Sequence, residues 1–364
     1  MIHFSHKPLS CHILRALTGF LLISIATLFL IPTTTLAQPQ STDEINCPSE
    51  KNTKDNCWIA WSADGQWIAT AGGNAIGVDI WETNSGELVR HLETSVHVFA
   101  WNPLIEHSNL LMTVTSLDYS IRIWDIETGD EIHSHIFEPL LFDEIDKGNL
   151  PNFPDILTSI SWNTTTNQIV VCAHLWCGVW DLESDEMVPI NETDGYQKPF
   201  AAAWSPDDEY LALAGEKVYI YEAGSLKLVH MFDLLHFMNA YRGLQSIDWS
   251  PDGKHIITEA VAIPNGIIRL YDVETGDVQI IDSHTSPMNA VAWSPDGAYI
   301  ASAGGDDFIG YPADNAIRIW NAETFELVRE IEYDESIMSI SWKPDGSQIA
   351  AVDADGVVYF VDIE

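Results

Sequence analysis

Histidine and aspartate side chains are the residues of this chain that could bind a metal or move a proton. His133 and His135 alternate along EIHSHI, so on a β-strand they would share one face and offer two nitrogen ligands. Asp306, Asp307 and Asp314 lie close together and could offer oxygen ligands to Ca²⁺. Neither set comes with further ligands at a suitable spacing. We therefore predict ordinary strand residues and a solvated acidic loop, with no metal and no cofactor.

The sequence also lacks the short motifs of common catalytic sites. It contains no GxSxG elbow, P-loop, HExxH helix, GxGxxG turn or EF-hand loop. Each of those motifs places a nucleophile, a phosphate cradle or a metal by its spacing, and none of these arrangements is present. We predict no catalytic residue and a protein that is not an enzyme.

Acidic residues dominate the charge of the 364-residue chain. Asp and Glu number 54 against 16 Lys and Arg, which gives a formal net charge of -38. Such a surface repels phosphate groups and has few cations with which to displace counterions. The charge therefore excludes nucleic acid and anionic membrane surfaces as partners, and it favours cationic partners or a simply solvated surface.

The N-terminus has the pattern of a secretory signal peptide. Residues 1–15 carry basic side chains and no acidic one, and residues 17–31 are almost wholly apolar. Thr35 and Ala37 then supply small side chains at the spacing of a cleavage site, so Gln38 is the expected mature N-terminus. The alternative is an uncleaved membrane anchor, although the apolar run is short for a full span.

The remainder of the chain consists of seven repeats, each marked by a tryptophan. The intervals between these tryptophans are 40 to 61 residues, and the seven are Trp61, Trp101, Trp162, Trp204, Trp249, Trp293 and Trp342. The residue just before the tryptophan is small in six repeats and acidic in one, Asp248. We expect Asp248 to find a partner or solvent, because a buried and unpaired carboxylate is costly.

The residue pattern within each repeat predicts four strands. The tryptophan ends an alternating apolar segment and is followed by SPDG or a variant, which predicts a strand and a tight turn. A second strand follows, then a third that ends in a pair such as Trp-Asp, then a turn such as ETG and a short fourth strand. Four strands in a repeat of this length predict one blade of a β-propeller. Because a single blade cannot bury both faces, the blades should stack and close into a ring.

The repeats resemble those of the WD-repeat β-propeller family. The likeness rests on the Trp-Asp dipeptide, with SPDG before it and ETG after it, and it covers residues 57–364. It implies an all-β, seven-bladed propeller of four-stranded antiparallel blades. The periplasmic Tol-system propellers also use SPDG-rich blades, but they lack the regular Trp-Asp and ETG pair and match less well.

The resemblance also implies a structural role for four polar residues. The family's buried tetrad joins a His, a Ser or Thr, an Asp and the third-strand Trp. The sixth repeat alone supplies all four, as His284, Ser302, Asp314 and Trp320. Such a network stabilises only when every member is bonded. We interpret His284 as structural rather than as a catalytic base, and we expect most other blades to be held by apolar stacking.

The last repeat ends after its third strand, so its fourth strand must come from elsewhere. The resemblance implies that the N-terminal segment supplies it, and we predict a short strand near residues 44–47. The predicted organisation is therefore a signal peptide over residues 1–37, a closing segment over 38–56 and a propeller over 57–364.

Four cysteines remain once the signal peptide, with Cys11, is removed, and they allow three pairings. We predict disulfides at Cys47–Cys57, which would tie the closing strand to the first blade, and at Cys172–Cys177, which should face each other across a hairpin. Free thiols are the alternative.

Long connections fall almost entirely at one end of the predicted blades. They occupy residues 137–156, 232–244, 259–267 and 303–315, whereas 102–110 lengthens the opposite end. Long loops in compact domains are often functional. Their large side chains and one rare cation predict a partner-binding face formed by Phe142, Phe153, Phe237, Tyr241, Arg242, Phe308 and Tyr311. The alternative is that these aromatic residues bury one another.

These observations favour a non-catalytic scaffold that acts outside the cytoplasm, secreted or periplasmic, and binds a protein or peptide through its long-loop face. We expect a monomer that touches a membrane only through an uncleaved N-terminal segment, if at all. One alternative is a propeller enzyme, of a hydrolase or metal-dependent lactonase type, with its site at the channel mouth. Another is a purely structural module.

Overall fold

The computed structural model describes residues 41–47, 57–72, 76–96, 98–115, 120–136, 157–173, 176–190, 200–215, 217–233, 246–262, 265–305 and 313–363. The chain divides into two units, Met1–Ala37 and Gln38–Glu364, and every described residue lies in the second. Strands and turns account for these residues apart from one 3-10 turn, Ile105–His107. None of the described segments forms a helix long and apolar enough to cross a membrane.

Seven four-stranded antiparallel sheets, the blades, contain the strands of the described residues. The strands in chain order are β1 (Ser41–Asn46); β2 (Cys57–Trp61), β3 (Trp67–Gly72), β4 (Ile76–Glu82) and β5 (Leu88–Ser95) in blade 1; β6 (Val98–Trp101), β7 (Leu110–Val114), β8 (Ser120–Asp125) and β9 (Glu131–Ile136) in blade 2; β10 (Leu157–Trp162), β11 (Gln168–Ala173), β12 (Trp176–Asp181) and β13 (Glu186–Pro189) in blade 3; β14 (Ala201–Trp204), β15 (Tyr210–Ala214), β16 (Lys217–Glu222) and β17 (Lys227–Asp233) in blade 4; β18 (Ile247–Trp249), β19 (His255–Ala262), β20 (Asn265–Asp272) and β21 (Val278–His284) in blade 5; β22 (Met288–Trp293), β23 (Tyr299–Gly304), β24 (Ala316–Asn321) and β25 (Leu327–Glu332) in blade 6; and β26 (Ile337–Trp342), β27 (Gln348–Asp353) and β28 (Val357–Asp362) in blade 7.

Blade 7 joins the two ends of the propeller. Strand β1 pairs antiparallel with β28, with Ser41 opposite Tyr359 and Asn46 opposite Val357. The amide of the next residue, Cys47, donates to the carbonyl of Gly356 at 2.8 Å. The prediction that the N-terminal segment supplies the fourth strand is confirmed, and the strand begins three residues earlier than predicted.

The first strands of the blades form an inner ring. Contacts run from β2 to β6, β10, β14, β18, β22 and β26, and from β26 back to β2. One hydrophobic cluster fills each junction between neighbouring blades. Because each sheet buries its two faces against its two neighbours, the blades stabilise one another. The predicted seven-bladed propeller is confirmed.

The tryptophan that marks each repeat bonds its blade to the preceding one. In five repeats the indole Nε1 donates to the carbonyl of the residue just before the preceding marker, at 3.0–3.3 Å. The pairs are Trp101 with Ala60, Trp162 with Ala100, Trp204 with Ser161, Trp249 with Ala203 and Trp342 with Ala292. The expectation that most blades are held by apolar stacking alone was therefore wrong.

The SPDG turns close the hairpin between first and second strands. In blade 5 the Ser250 hydroxyl donates to Asp252 at 2.7 Å and accepts from the amide of His255 at 2.9 Å. Gly253 adopts a φ of +69°, a region that favours glycine, and its amide donates to the Ser250 carbonyl. These side-chain and backbone hydrogen bonds close a short turn between the first and second strands. The long connections of the chain lie mostly elsewhere in the blades.

Candidate interaction surfaces

Three long connections leave the propeller at one end of the blades, which we call the loop face. They join β9 to β10, β17 to β18 and β23 to β24. In antiparallel blades the end of a second or fourth strand lies beside the start of a first or third strand. The residues predicted to bind a partner lie in these connections, outside the described residues: Phe142, Phe153, Phe237, Tyr241, Arg242, Phe308 and Tyr311.

The fourth predicted insertion, residues 259–267, is mostly paired strand. Strands β19 and β20 continue until Ala262 lies opposite Asn265, so the connection between them is short. Ile267 and Ile268 are buried. Apolar residues that looked like an inserted loop therefore belong to the core, and the prediction of a long loop here was wrong.

At the loop face of blade 6 the structure brings His284, Ser302, Asp314 and Trp320 together. His284 Nε2 lies 2.9 Å from Ser302 Oγ, which also accepts from Trp320 Nε1 at 3.0 Å. Asp314 Oδ2 accepts from both the amide and the hydroxyl of Thr285, at 2.6 and 3.0 Å. The network therefore connects the end of β21, the second and third strands of blade 6 and the returning end of the β23–β24 loop.

Arg318 is a fifth member of this network that sequence reasoning missed. Its Nη1 donates to His284 Nδ1 at 2.6 Å and to Asp314 Oδ2 at 2.9 Å, and its Nε donates to Glu330 at 2.9 Å. Arg122 and Arg269 occupy the same position on the third strands of blades 2 and 5. The recurring IRIW segment was the signal that could have revealed it.

Burial and hydrogen bonds set the charges in this network. Burial lowers the pKa of His284, which favours the neutral imidazole. Burial alone would raise the pKa of Asp314, but hydrogen bonds from Arg318 and from the amide of Thr285 outweigh it and lower that pKa overall. The network thus consists of a neutral histidine beside a buried ion pair, and hydrogen bonds join all its members.

His133 and His135 pack on an aromatic ring of the next blade. Their ring centroids lie 5.2 and 4.9 Å from that of Trp180, and His135 Nδ1 lies 3.0 Å from Asp185. Trp180 Nε1 also bonds Asp185, at 3.0 Å, because Val171 stands where blades 1, 2, 5 and 6 have a Ser or Thr. The two histidines on the shared face of β9 thus pack at the junction between blades 2 and 3.

No group of three metal-binding side chains occurs among the described residues. Asp314 is one of three aspartates whose spacing suggested calcium, and its Oδ2 is already bonded to Thr285 and Arg318. Asp306 and Asp307 lie outside the described residues.

Asp248 lies on the inner ring between blades 5 and 6. Its Oδ2 accepts from the amide of Trp293 at 2.8 Å, and its Oδ1 accepts from the amide of Trp249 at 2.9 Å. Ser161 and Ser341 hold the same position in blades 3 and 7, and their hydroxyls accept from the next marker tryptophan's amide. Burial raises the pKa of Asp248 to about 7.

The two cysteine pairs differ. Cys172 and Cys177 form a disulfide across β11 and β12, with their Cα atoms 4.2 Å apart. Cys47 and Cys57 are free and buried thiols, and their mutual hydrogen bond, together with burial, raises the pKa of Cys47. The bond predicted between Cys47 and Cys57 is therefore absent. The closing strand is held instead by its pairing with β28 and by apolar contacts around Ile45.

Known proteins match several parts of the chain. Residues 238–354 match the family of eukaryotic translation initiation factor eIF2A. The WD repeat-containing protein SL1-17 of Schistosoma mansoni is 27% identical over 136 residues, which is 35% of this chain and 40% of that protein. The meiotic recombination protein rec14 of Schizosaccharomyces pombe is 26% identical over 235 residues, or 61% and 68% of the two chains. Eukaryotic translation initiation factor 3 subunit I of Kluyveromyces lactis is 22% identical over 269 residues, or 68% and 70%.

The matched region thus spans less than half of the first of these relatives and about two thirds of the second. The similarity to a WD repeat-containing protein agrees with the repeat pattern of the sequence and with the seven-bladed architecture. The Trp-marked repeats, the seven four-stranded blades closed by the chain ends, and the similarity to WD repeat-containing proteins all support the resemblance of this chain to the WD-repeat β-propeller family.

Proposed function

We propose that this chain is a non-catalytic scaffold that is exported from the cytoplasm and binds a protein or peptide through its loop face. The observation that carries the proposal is the position of the blade 6 network. Thr285 donates to Asp314 at the base of the β23–β24 loop, and Arg318 bonds both Asp314 and His284. Loops that vary in sequence but start from a rigid frame are common binding elements.

The titratable side chains support a binding role over catalysis. His284, His133 and His135 pack or bond within blade junctions, and the described residues hold no cluster of metal ligands. Similarity to WD repeat-containing proteins agrees with a scaffold, because propellers of this family mostly bind other proteins.

Export is supported by the signal-like N-terminus and by one disulfide. The bond between Cys172 and Cys177 fits an oxidising compartment, since disulfides are rare in reducing cytosol. N-terminal sequencing of the protein recovered from its native host tests this part. A chain that begins at Gln38 and lies outside the cytoplasm is expected. An intact N-terminus in the cytoplasmic fraction would contradict it.

Affinity capture tests the loop face. The exported protein serves as bait beside a variant with Phe237, Tyr241, Phe308 and Tyr311 changed to Ser, and captured proteins are quantified by mass spectrometry. A matched control changes four exposed aliphatic residues of outer strands to Ser, namely Val278, Ile280, Leu327 and Val328. We expect the loop variant to lose partners that the control retains. Equal recovery by both variants would show that the loop face is not the binding surface.

A further inference from the structure

A cleft opens between blades 2 and 3 at the opposite end from the loop face, which we call the hairpin face. It has a volume of about 410 Å³, and its lining comes from both blades. Blade 2 contributes the ends of β8 and β6 and the start of β9, and blade 3 contributes the β10–β11 hairpin and the turn after β12. A volume in this range accommodates one or two side chains of a ligand rather than a folded domain.

The cleft is partly open to solvent, and five of its ten lining residues are apolar. Ile123 and Trp162 form its buried floor, and Leu110 and Leu182 are half-buried beside them. Ile132 also lines the cleft and is 52% exposed, like several aliphatic residues on the outer strands of other blades. Covering this apolar part of the cleft with a large apolar side chain is favourable.

A second apolar side chain stands near the rim. The loop between β6 and β7 forms the 3-10 turn Ile105–His107, in which Ile105 is 73% exposed and His107 lines the cleft. This loop is the one long connection that the sequence places at the hairpin face. Its length adds a wall to the cleft and presents an exposed aliphatic residue beside it.

One buried polar atom of the cleft has no bonding partner in the described part of the chain. His133 lines the cleft, and its Nε2 is closed off from solvent and accepts or donates no hydrogen bond there. An unpaired buried nitrogen costs free energy. Because this nitrogen is closed off from solvent, a ligand in the cleft does not bond it, and His133 contributes only its ring to the wall.

The charge around the cleft is acidic. Glu183 lies in its lining, Glu106 lies next to His107, and Asp181 ends β12. Hydrogen bonds from Ser184 keep the pKa of Asp181 low, so its carboxylate is charged at neutral pH. Residues 163–190 and 102–110 contain no Lys or Arg. A cationic ligand is therefore favoured on this side of the propeller.

We propose that this cleft binds a large apolar side chain carried by a lysine- or arginine-rich segment of another protein. The apolar side chain enters between Ile132 and Leu182, and the flanking cations meet Glu183 and its acidic neighbours. The site lies at the opposite end of the blades from the loop face. An experiment that refutes binding at one of these two surfaces therefore leaves the proposal for the other unaffected.

Binding of synthetic peptides tests the proposal on the chain that begins at Gln38. The probes are fluorescein-labelled nonapeptides with a central leucine or alanine and two lysines on either side, together with a glutamate-flanked leucine peptide. Fluorescence anisotropy should give a dissociation constant about tenfold lower for the lysine-flanked leucine peptide than for its alanine counterpart. The glutamate-flanked peptide should not bind, and added salt should weaken the lysine-flanked one.

Matched variants locate the site. Ile132→Ser should remove the preference for leucine over alanine, whereas Ile280→Ser, an equally exposed residue on the outer strand of blade 5, should keep it. Glu183→Gln should weaken lysine-peptide binding about threefold, whereas Glu323→Gln, the equivalent turn position of blade 6, should not. Circular dichroism checks that each variant is folded.

Three results would overturn the proposal. The first is equal binding of the leucine and alanine peptides, and the second is the same loss of leucine preference in Ile132→Ser and Ile280→Ser. The third is a concentration-dependent dimer, seen by analytical ultracentrifugation, that Ile132→Ser abolishes, because a second copy of the chain would then be the natural occupant of the cleft.

Discussion

Arg318 donates a hydrogen bond of 2.6 Å from its guanidinium to Nδ1 of His284. Because a guanidinium has donors and no acceptor, Nδ1 must be the accepting nitrogen, and the neutral imidazole carries its proton on Nε2. That proton points to Ser302 Oγ, 2.9 Å away. The arginine therefore fixes the tautomer of a buried histidine whose other nitrogen holds the second strand of blade 6.

Replacing this arginine should destabilise the propeller. Arg318→Met leaves the Asp314 carboxylate buried without its cation, and we expect the free energy of unfolding to fall by about 3 kcal/mol. Arg329→Met, on the outer strand of the same blade, removes a half-buried arginine that bonds a backbone carbonyl and should cost less than about 1 kcal/mol. Urea denaturation measures both. Equal losses would mean that the buried network does not stabilise blade 6.

Gly304 leaves the space that the His284 ring occupies. A Cβ at this position would lie 2.7 Å from His284 Nδ1 and 3.1 Å from the carbonyl oxygen of Asp314. Gly304→Ala should therefore displace the ring and lower the free energy of unfolding by about 2 kcal/mol. Gly224→Ala is the control, because a Cβ there meets nothing within 4 Å. A thermal melt in which the two variants behave alike would contradict this account of the His284 site.

The cysteine states give a prediction that needs no substitution. In the chain that begins at Gln38, two thiols should react with a maleimide after denaturation without reductant, and four after reduction. In the folded protein neither Cys47 nor Cys57 should react quickly, since both are buried and the pKa of Cys47 is raised. Mass spectrometry counts the labels. No label in the unreduced, denatured chain would mean that Cys47 and Cys57 are also joined.

The sequence predicted the number of blades and their closure because both follow from local patterns. The spacing of marker tryptophans counts the repeats, and the missing fourth strand after Asp362 requires a partner from the other end. The contacts between blades were harder to foresee. The indole bonds reach from one repeat to the preceding one, as Trp101 does to Ala60, and no pattern within a single repeat shows that geometry.

Departures from the repeat were the least predictable features. Val171 removes a hydroxyl from blade 3, and Trp180 then bonds Asp185 while both strand histidines of blade 2 cover its ring. The hairpin-face cleft lies between this blade and blade 2, whose β6–β7 loop is also irregular. Its shape depends on contacts between the two blades, which the pattern of a single repeat does not show. The partner-binding residues predicted on the loop face stay predictions, because they lie outside the described residues.

Asp248 should make the stability of the propeller depend on pH. Its pKa is about 7 in the folded protein, against an ordinary value of 3.8. Between these pH values the folded state holds a proton that the unfolded state has lost, so stability falls as the pH rises from about 4 to 7 and is then constant. Asp248→Ser, which copies Ser161 and Ser341, should therefore stabilise the protein at pH 8 and leave it nearly unchanged at pH 4.

The size of this effect separates a buried carboxylate from a solvated one. A shift of one pKa unit corresponds to about 1.4 kcal/mol of stability. Because the Asp248 side chain is only half-buried, we expect Asp248→Ser to raise the free energy of unfolding at pH 8 by roughly 2 kcal/mol, which is less than the whole shift from 3.8 to about 7 would give. Denaturant unfolding at pH 4, 6 and 8 gives the slope. Ser161→Ala is the control, since it removes the same inter-blade bond without a charge and should lower stability equally at each pH. If Asp248→Ser keeps the slope of the parent chain, the carboxylate is ionised throughout, and water in the ring must solvate it.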